Sequence, residues 1–252
     1  MTKLISIHSY SCKNKCEHAD VCYFVNGKHC DVDEIENSQV ELIEQAINKI
    51  TGDKQIYYAG CDFIPSYLTY GGSIYGHEDE RHMTFSSNHY PHMKTLASDL
   101  QTFNNNIQLT VYTLDELQSN TYYDIQKLFL IKNDTTYLIA CDVIKNNVSY
   151  NKIHFPIDQK WAEENQDKVL HLVHINMLQP NDTITLDSCL MNYVINGTCS
   201  YIKEYIDLRY DGTVRRCPFS DECHSINYNE PDTMFDIPFT PNCIYHKMFG
   251  TD

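Results

Sequence analysis

The chain has 252 residues and a formal net charge of −15 with its 12 histidines neutral. That length builds one large domain, or one domain with a small appendage. The acidic balance excludes a nucleic-acid backbone as the main partner, since phosphate contacts need clustered Lys and Arg; no apolar run approaches the ~20 residues of a membrane span, and the short polar start is not a secretion signal, so a cytoplasmic protein is expected.

Lys3 to Ser9 reads as a first strand, and it runs directly into a loop holding Cys12, Cys16 and Cys22. Eleven cysteines in a reducing compartment point to metal binding more than to disulfides. Three thiolates in so short a loop leave one position of a tetrahedral metal, or one iron of a four-iron cluster, without a cysteine from this group. They also suit a structural zinc completed by His18, His29 or Cys30.

From the acidic turn at Asp33-Glu34, apolar residues recur at helical spacing from Val40 to Ile50. Gln55–Ala59 is expected as a strand closed by Gly60, and His82–Ser86 as another. Pro91 opens a helix to about Phe103, and Ile107–Tyr112 is a strand. Tyr122–Ile131 fits either helix or strand, while Tyr137–Ile144 reads as a strand, with Cys141 a small core residue. Asp158–Lys168 is a helix carrying Trp161, and Val169–Ile175 a strand.

Strands alternating with helices argue for α/β class with a parallel sheet, here a partial (β/α)6-type barrel over residues 1–182. Ligands of such a sheet sit at the C-terminal ends of its strands, where the cysteine loop and Gly60 both fall. From about Thr183 the texture changes. Cys189, Cys199, Cys217, Cys223 and Cys243 crowd into residues 183–252, and Tyr205–Cys217 folds back at Asp211-Gly212, a strong β-hairpin signal. That region reads as a small extension stapled by metal.

These features together resemble the radical S-adenosylmethionine superfamily, with an auxiliary-cluster extension of the SPASM or twitch kind. The cysteine loop closing on Cys22-Tyr23 resembles the loop that holds a [4Fe-4S] cluster in that family, with Cys12, Cys16 and Cys22 as ligands and Tyr23 beside them. Gly60-Cys61-Asp62 stands where the family places a Gly-Gly-Glu-Pro stretch against the methionine amino group. Ser86 and Asn88 resemble the polar end of its third strand, and Thr113 or Asp115 the polar residue that holds the ribose. The Asp-Gly hairpin with cysteines at its base resembles the auxiliary-cluster extension, which makes Cys189, Cys199, Cys217, Cys223 and Cys243 candidate ligands of a second cluster. The loop spacing of three residues then five departs from the usual three then two, and five tail cysteines in place of seven favour one auxiliary cluster.

The resemblance implies reductive cleavage of S-adenosylmethionine at the [4Fe-4S] cluster. The resulting 5′-deoxyadenosyl radical abstracts hydrogen from a peptide, protein or small-metabolite substrate, and flavodoxin or ferredoxin supplies the electron. A glycyl-radical-enzyme activase and a zinc-stabilised binding module without catalysis are the two other readings the sequence leaves open.

Overall fold

The computed structural model describes residues 2–8, 37–59, 80–86, 105–118, 125–146, 152–199, 204–218, 220 and 222–250. They form two compact units. Unit 1 holds the described residues up to 107 and those from 204 to 240; unit 2 holds those from 108 to 199 and from 241 on.

Unit 1 is built on strand β1 (Lys3–His8), whose Ile5 and Ile7 are fully buried. Burying an isoleucine contributes about 1.5–3 kcal/mol. On one side β1 pairs in parallel with β2 (Lys54–Ala59), from Lys3↔Lys54 to His8↔Ala59, and β2 pairs in parallel with β3 (Glu80–Ser86). Between β1 and β2 in sequence runs α1 (Asn37–Lys49). Ile43, Ala46, Ile47 and Ile50 are buried on one helical face, and the Tyr58 hydroxyl donates to Glu44 Oε1 at 2.7 Å in the interior.

The tail hairpin is β8 (Tyr205–Arg209) and β9 (Thr213–Arg215), antiparallel as the Asp-Gly turn predicts, with Gly212 at φ +80°. It does more than fold on itself. Strand β8 pairs in parallel with β1 from Leu4↔Tyr205 to His8↔Arg209, so unit 1 has the strand order β10-β9-β8-β1-β2-β3, with β10 spanning His224–Ser225. The 3-10 helix Pro231–Asp236 is tied down by the Arg216 guanidinium, which donates to the carbonyls of Tyr205 (3.0 Å), Phe235 and Ile237 (2.8 Å). Asp232 also pairs with Lys3 at 2.6 Å.

Unit 2 repeats a strand–helix pattern four times. Strand β4 (Asn105–Val111), which enters it at residue 108, is followed by α2 (Leu114–Gln118). Then come β5 (Gln126–Phe129) and α3 (Asp134–Asn146). Strand β6 (Ile153–Phe155) leads into α4 (Gln159–Glu164) and α5 (Gln166–Leu178), and β7 (Ile184–Leu186) into α6 (Ser188–Asn196). All neighbouring strands pair in parallel, in the order β4-β5-β6-β7, and α7 (Ile244–Phe249) completes the unit. The class is mixed α/β with a parallel sheet, as the alternation predicts.

Two expected strands are helices. Tyr137–Ile144 lies in α3, where Ala140, Cys141, Val143 and Ile144 are buried. A short apolar run fits a buried strand or a buried helix equally well. The capping decides: Asn133 Oδ1 accepts from the Thr136 amide at 2.9 Å, and Thr136 Oγ1 accepts from the Lys132 amide at 2.9 Å. Val169–Ile175 lies in α5, where buried Val169, Leu172 and Val173 follow the helical i, i+3, i+4 spacing. The helix expected over Asp158–Lys168 is divided at Asn165, with the Asp158 carboxylate capping α4 through the Trp161 amide at 2.8 Å. The helix expected from Pro91 to Phe103 lies outside the described residues.

Candidate functional site

The expected ligand edge is the one at which the parallel strands end. In unit 1, β1, β2, β3 and β8 end at His8, Ala59, Ser86 and Arg209, and the register aligns His8 with both Ala59 and Arg209. Cys12, Cys16, Cys22 and Tyr23, which follow β1, lie outside the described residues. So do Gly60, Cys61 and Asp62, which follow β2, and Asn88, which follows β3. Ser86 is the last residue of β3. The register brings to this edge a residue that the sequence reading passed over, Arg209. It is 3% exposed, and its Nε donates to the buried Asp207 at 3.0 Å.

Thr113 and Asp115 fall after β4, as expected. Thr113 caps α2: its hydroxyl accepts from the Glu116 amide at 3.2 Å, while the Glu116 carboxylate accepts from the amides of Tyr112 and Thr113 at 2.9 and 3.0 Å. This is a capping box, which gives the Thr113 hydroxyl a structural use. Asp115 is exposed in the first turn of α2.

The densest chemistry in unit 2 is at α6. Asp187 caps this helix, its carboxylate accepting from the amides of Cys189 (3.0 Å) and Leu190 (3.1 Å) and, across the unit, from that of Ile157 (3.3 Å). Burial pushes the Asp187 carboxyl up and the neighbouring His154 imidazole down, each partly offset by the other. The helix ends at Gly197, whose φ of +68° is the left-handed conformation a glycine C-cap supplies; its amide donates to the Tyr193 carbonyl at 2.8 Å. Asn192 Nδ2 then donates to the Thr198 carbonyl at 2.6 Å, turning the chain back so that Cys199 meets Cys189. Cys243 arrives on the segment that enters α7, which is anchored by Tyr245 to the Ile157 carbonyl at 3.4 Å and by Ile244 to Gln159 at 3.3 Å.

Three of the five tail cysteines therefore converge. The Cys189 thiol lies in hydrogen-bonding reach of both Cys199 and Cys243, and these contacts with burial push it far above the ordinary thiol range. Cys243 moves the other way, to about 6, because it accepts from Cys189 and from the amides of His246 and Tyr245. Of the three, Cys243 is the sulfur whose surroundings favour the thiolate. Beside it lies Tyr193, 1% exposed, with its ring 5.9 Å from that of His246. Burial and the surrounding thiols push the Tyr193 phenol well above its usual range.

The other two tail cysteines belong to unit 1: Cys217 is buried just after β9, and Cys223 is exposed just before β10. No disulfide forms among the described cysteines. No group of three or more His, Cys, Asp or Glu side chains among the described residues is spaced to hold a single metal ion. The α6 group consists of three cysteines outside any disulfide, Cys189 and Cys199 buried and Cys243 half-buried, with Cys189 in hydrogen-bonding reach of the other two. Among the described residues no helix is long and apolar enough to cross a membrane.

No family model matches the chain, and no curated protein matches it. Solved structures do. One is native anSMEcpe, an anaerobic sulfatase-maturating enzyme, with bound AdoMet: TM-score 0.57 at 11% identity, over 98% of this chain and 82% of that one. The same enzyme with bound AdoMet and the Cp18Cys peptide gives a TM-score of 0.54 at 12% identity, over the same shares. At so low an identity the likeness speaks for the fold alone: this chain shares the mixed α/β fold, with its parallel sheet, of that radical S-adenosylmethionine enzyme.

Proposed function

We propose that the chain is a radical S-adenosylmethionine enzyme whose residues 1–182 bind the cofactor and whose residues 183–252 carry an auxiliary iron–sulfur cluster. The supporting observation is the shared fold over 98% of the chain with a structure that holds AdoMet. It joins a cysteine loop that begins only four residues after β1 ends, at the edge where such a sheet keeps its ligands. In this reading Cys12, Cys16 and Cys22 hold the first [4Fe-4S] cluster, and Tyr23, Gly60, Cys61, Asp62, Ser86, Asn88, Thr113 and Asp115 surround S-adenosylmethionine. When bound, these groups supply reductive cleavage to a 5′-deoxyadenosyl radical that takes hydrogen from the substrate.

The chain's own contribution is placement and exclusion of water. Buried Arg209 and Asp207 fix the end of β8 beside the end of β1, which stiffens the edge from which the cysteine loop departs. Cys189, Cys199 and Cys243 hold the auxiliary cluster, with Cys243 already inclined to be a thiolate. The anSMEcpe complex contains a peptide, which supports a peptide or protein substrate here, with flavodoxin or ferredoxin as the reductant of the enzyme.

The test is anaerobic reconstitution followed by iron, sulfide and zinc analysis and assay for 5′-deoxyadenosine after dithionite reduction. Wild type is expected to hold about eight irons, and Cys12/Cys16/Cys22→Ala and Cys189/Cys199/Cys243→Ala about four each. Only the first triple variant should lose all cleavage. Single Cys217→Ala and Cys223→Ala variants report whether either supplies a further sulfur. Zinc in place of iron would overturn the proposal.

A further inference from the structure

Cys189 and Cys243 are brought together through one residue. The Ile157 amide donates at 3.3 Å to the Asp187 carboxylate, which caps α6 and holds the Cys189 amide at 3.0 Å. The Ile157 carbonyl accepts at 3.4 Å from the hydroxyl of Tyr245, which follows Cys243 in α7, and the Ile244 amide adds a tie to Gln159 at 3.3 Å. Both cysteines therefore stand on backbone fixed to the same framework, with their sulfurs in hydrogen-bonding reach of each other and neither in a disulfide. Holding two reacting groups in this way raises their effective concentration far above that of free thiols in solution. Exchange with a disulfide also needs an attacking sulfur that the reagent can reach. Cys189 and Cys199 are buried, whereas Cys243 is half-buried. Cys243 is thus the sulfur open to a reagent, and Cys189 is a sulfur in contact with it.

We propose that this pair is a thiol–disulfide exchange site, at which Cys243 attacks a small-molecule disulfide and Cys189 resolves the product to a Cys189–Cys243 bond. In the first step the Cys243 sulfur bonds to one sulfur of the oxidant, whose S–S bond breaks and releases one thiol. In the second the Cys189 sulfur bonds to Cys243 and expels the other half of the oxidant as a second thiol. The two protein thiols lose two electrons and two protons, and the two small-molecule thiols carry them away. The bond closes the chain from residue 189 to residue 243, a crosslink that restricts the unfolded chain. The proposal does not rest on the auxiliary-cluster reading: it concerns these sulfurs in chains without bound iron, since a metal-bound sulfur is not free to attack.

The experiment uses the full-length chain, treated anaerobically with a chelator until its iron is removed, then equilibrated with mixtures of oxidised and reduced glutathione. Samples are quenched in acid, alkylated, digested and read by mass spectrometry. The expected result is a Cys189–Cys243 crosslinked peptide that dithiothreitol removes. It should form at a level of oxidised glutathione at least about tenfold lower than the same crosslink needs in concentrated urea, where the framework is lost. In Cys189→Ser, Cys243 should keep glutathione as a mixed disulfide, and in Cys199→Ser the crosslink should form as in the parent. The comparison of native and urea-unfolded parent chain does not depend on how well a variant folds. Alkylation of both Cys189 and Cys243 throughout the titration overturns the proposal. So does a crosslink of either one to Cys199 in its place, or equal oxidation of the native and unfolded chains.

Discussion

At Lys127 a cation is buried on β5, its ammonium donating to the Leu117 carbonyl at 2.6 Å. Burial lowers its pKa from 10.5 to about 8, against the pull of Glu116. Below about pH 8 the folded chain therefore holds an ammonium that would rather be hydrated. Between about 8 and 10.5 the folded lysine is neutral while the unfolded one still binds its proton, so stability rises with pH across that window. Urea titrations of wild type and Lys127→Met from pH 7.5 to 10.5 should show their difference moving in favour of wild type, by up to about 3 kcal/mol. Asp207 and Arg209 make the opposite case, a buried charge matched by its partner at 3.0 Å. Asp207→Ala should cost about 3–5 kcal/mol by removing the carboxylate that pairs with the buried guanidinium, and adding Arg209→Met should recover part of that loss. Neither residue was legible as buried from sequence. Nothing local in Tyr122–Ile131 or in the Asp-Leu-Arg of the hairpin marks these side chains as buried.

At the scale of elements, the legible ones were those with strong local punctuation. The Asp-Gly hairpin, the strand before the cysteine loop and the body of the first helix formed where sequence placed them, while the acidic turn expected at Asp33-Glu34 lies outside the described residues. α3 and α5 were not legible, because compact apolar runs do not distinguish helix from strand until the cap and the buried face are known. α6 was missed although its punctuation is present: Asp187 before the helix and Gly197 after it. Those two residues also aim Cys189 and Cys199 at each other. Gly197→Ala forces a side chain into the left-handed conformation and should cost about 1–2 kcal/mol in urea denaturation. It should also lower the iron retained at the auxiliary site, while Gly52→Ala, at φ +83° but with open space around it, should cost comparable stability and leave the iron unchanged.

For the whole molecule, cysteine order along the chain carried most of the proposed function, because cysteine is a residue type with an affinity for metal. The convergence of Cys189, Cys199 and Cys243 needed coordinates, since Cys243 reaches the site only through the anchoring of α7 to Ile157 and Gln159. Pairing of β8 with β1 was equally invisible to local pattern: nothing in Tyr205–Arg209 names a partner about 200 residues earlier.

That distance has a consequence for biosynthesis. Ile5 and Ile7 leave the ribosome early, yet the strand that covers one side of β1 is translated about 200 residues later. At about 5–20 residues per second the wait is about 10–40 s. During it, the nascent chain carries an apolar β-edge open to other chains. Under the proposed function, insertion of a cluster at this end of β1 awaits the arrival of β8.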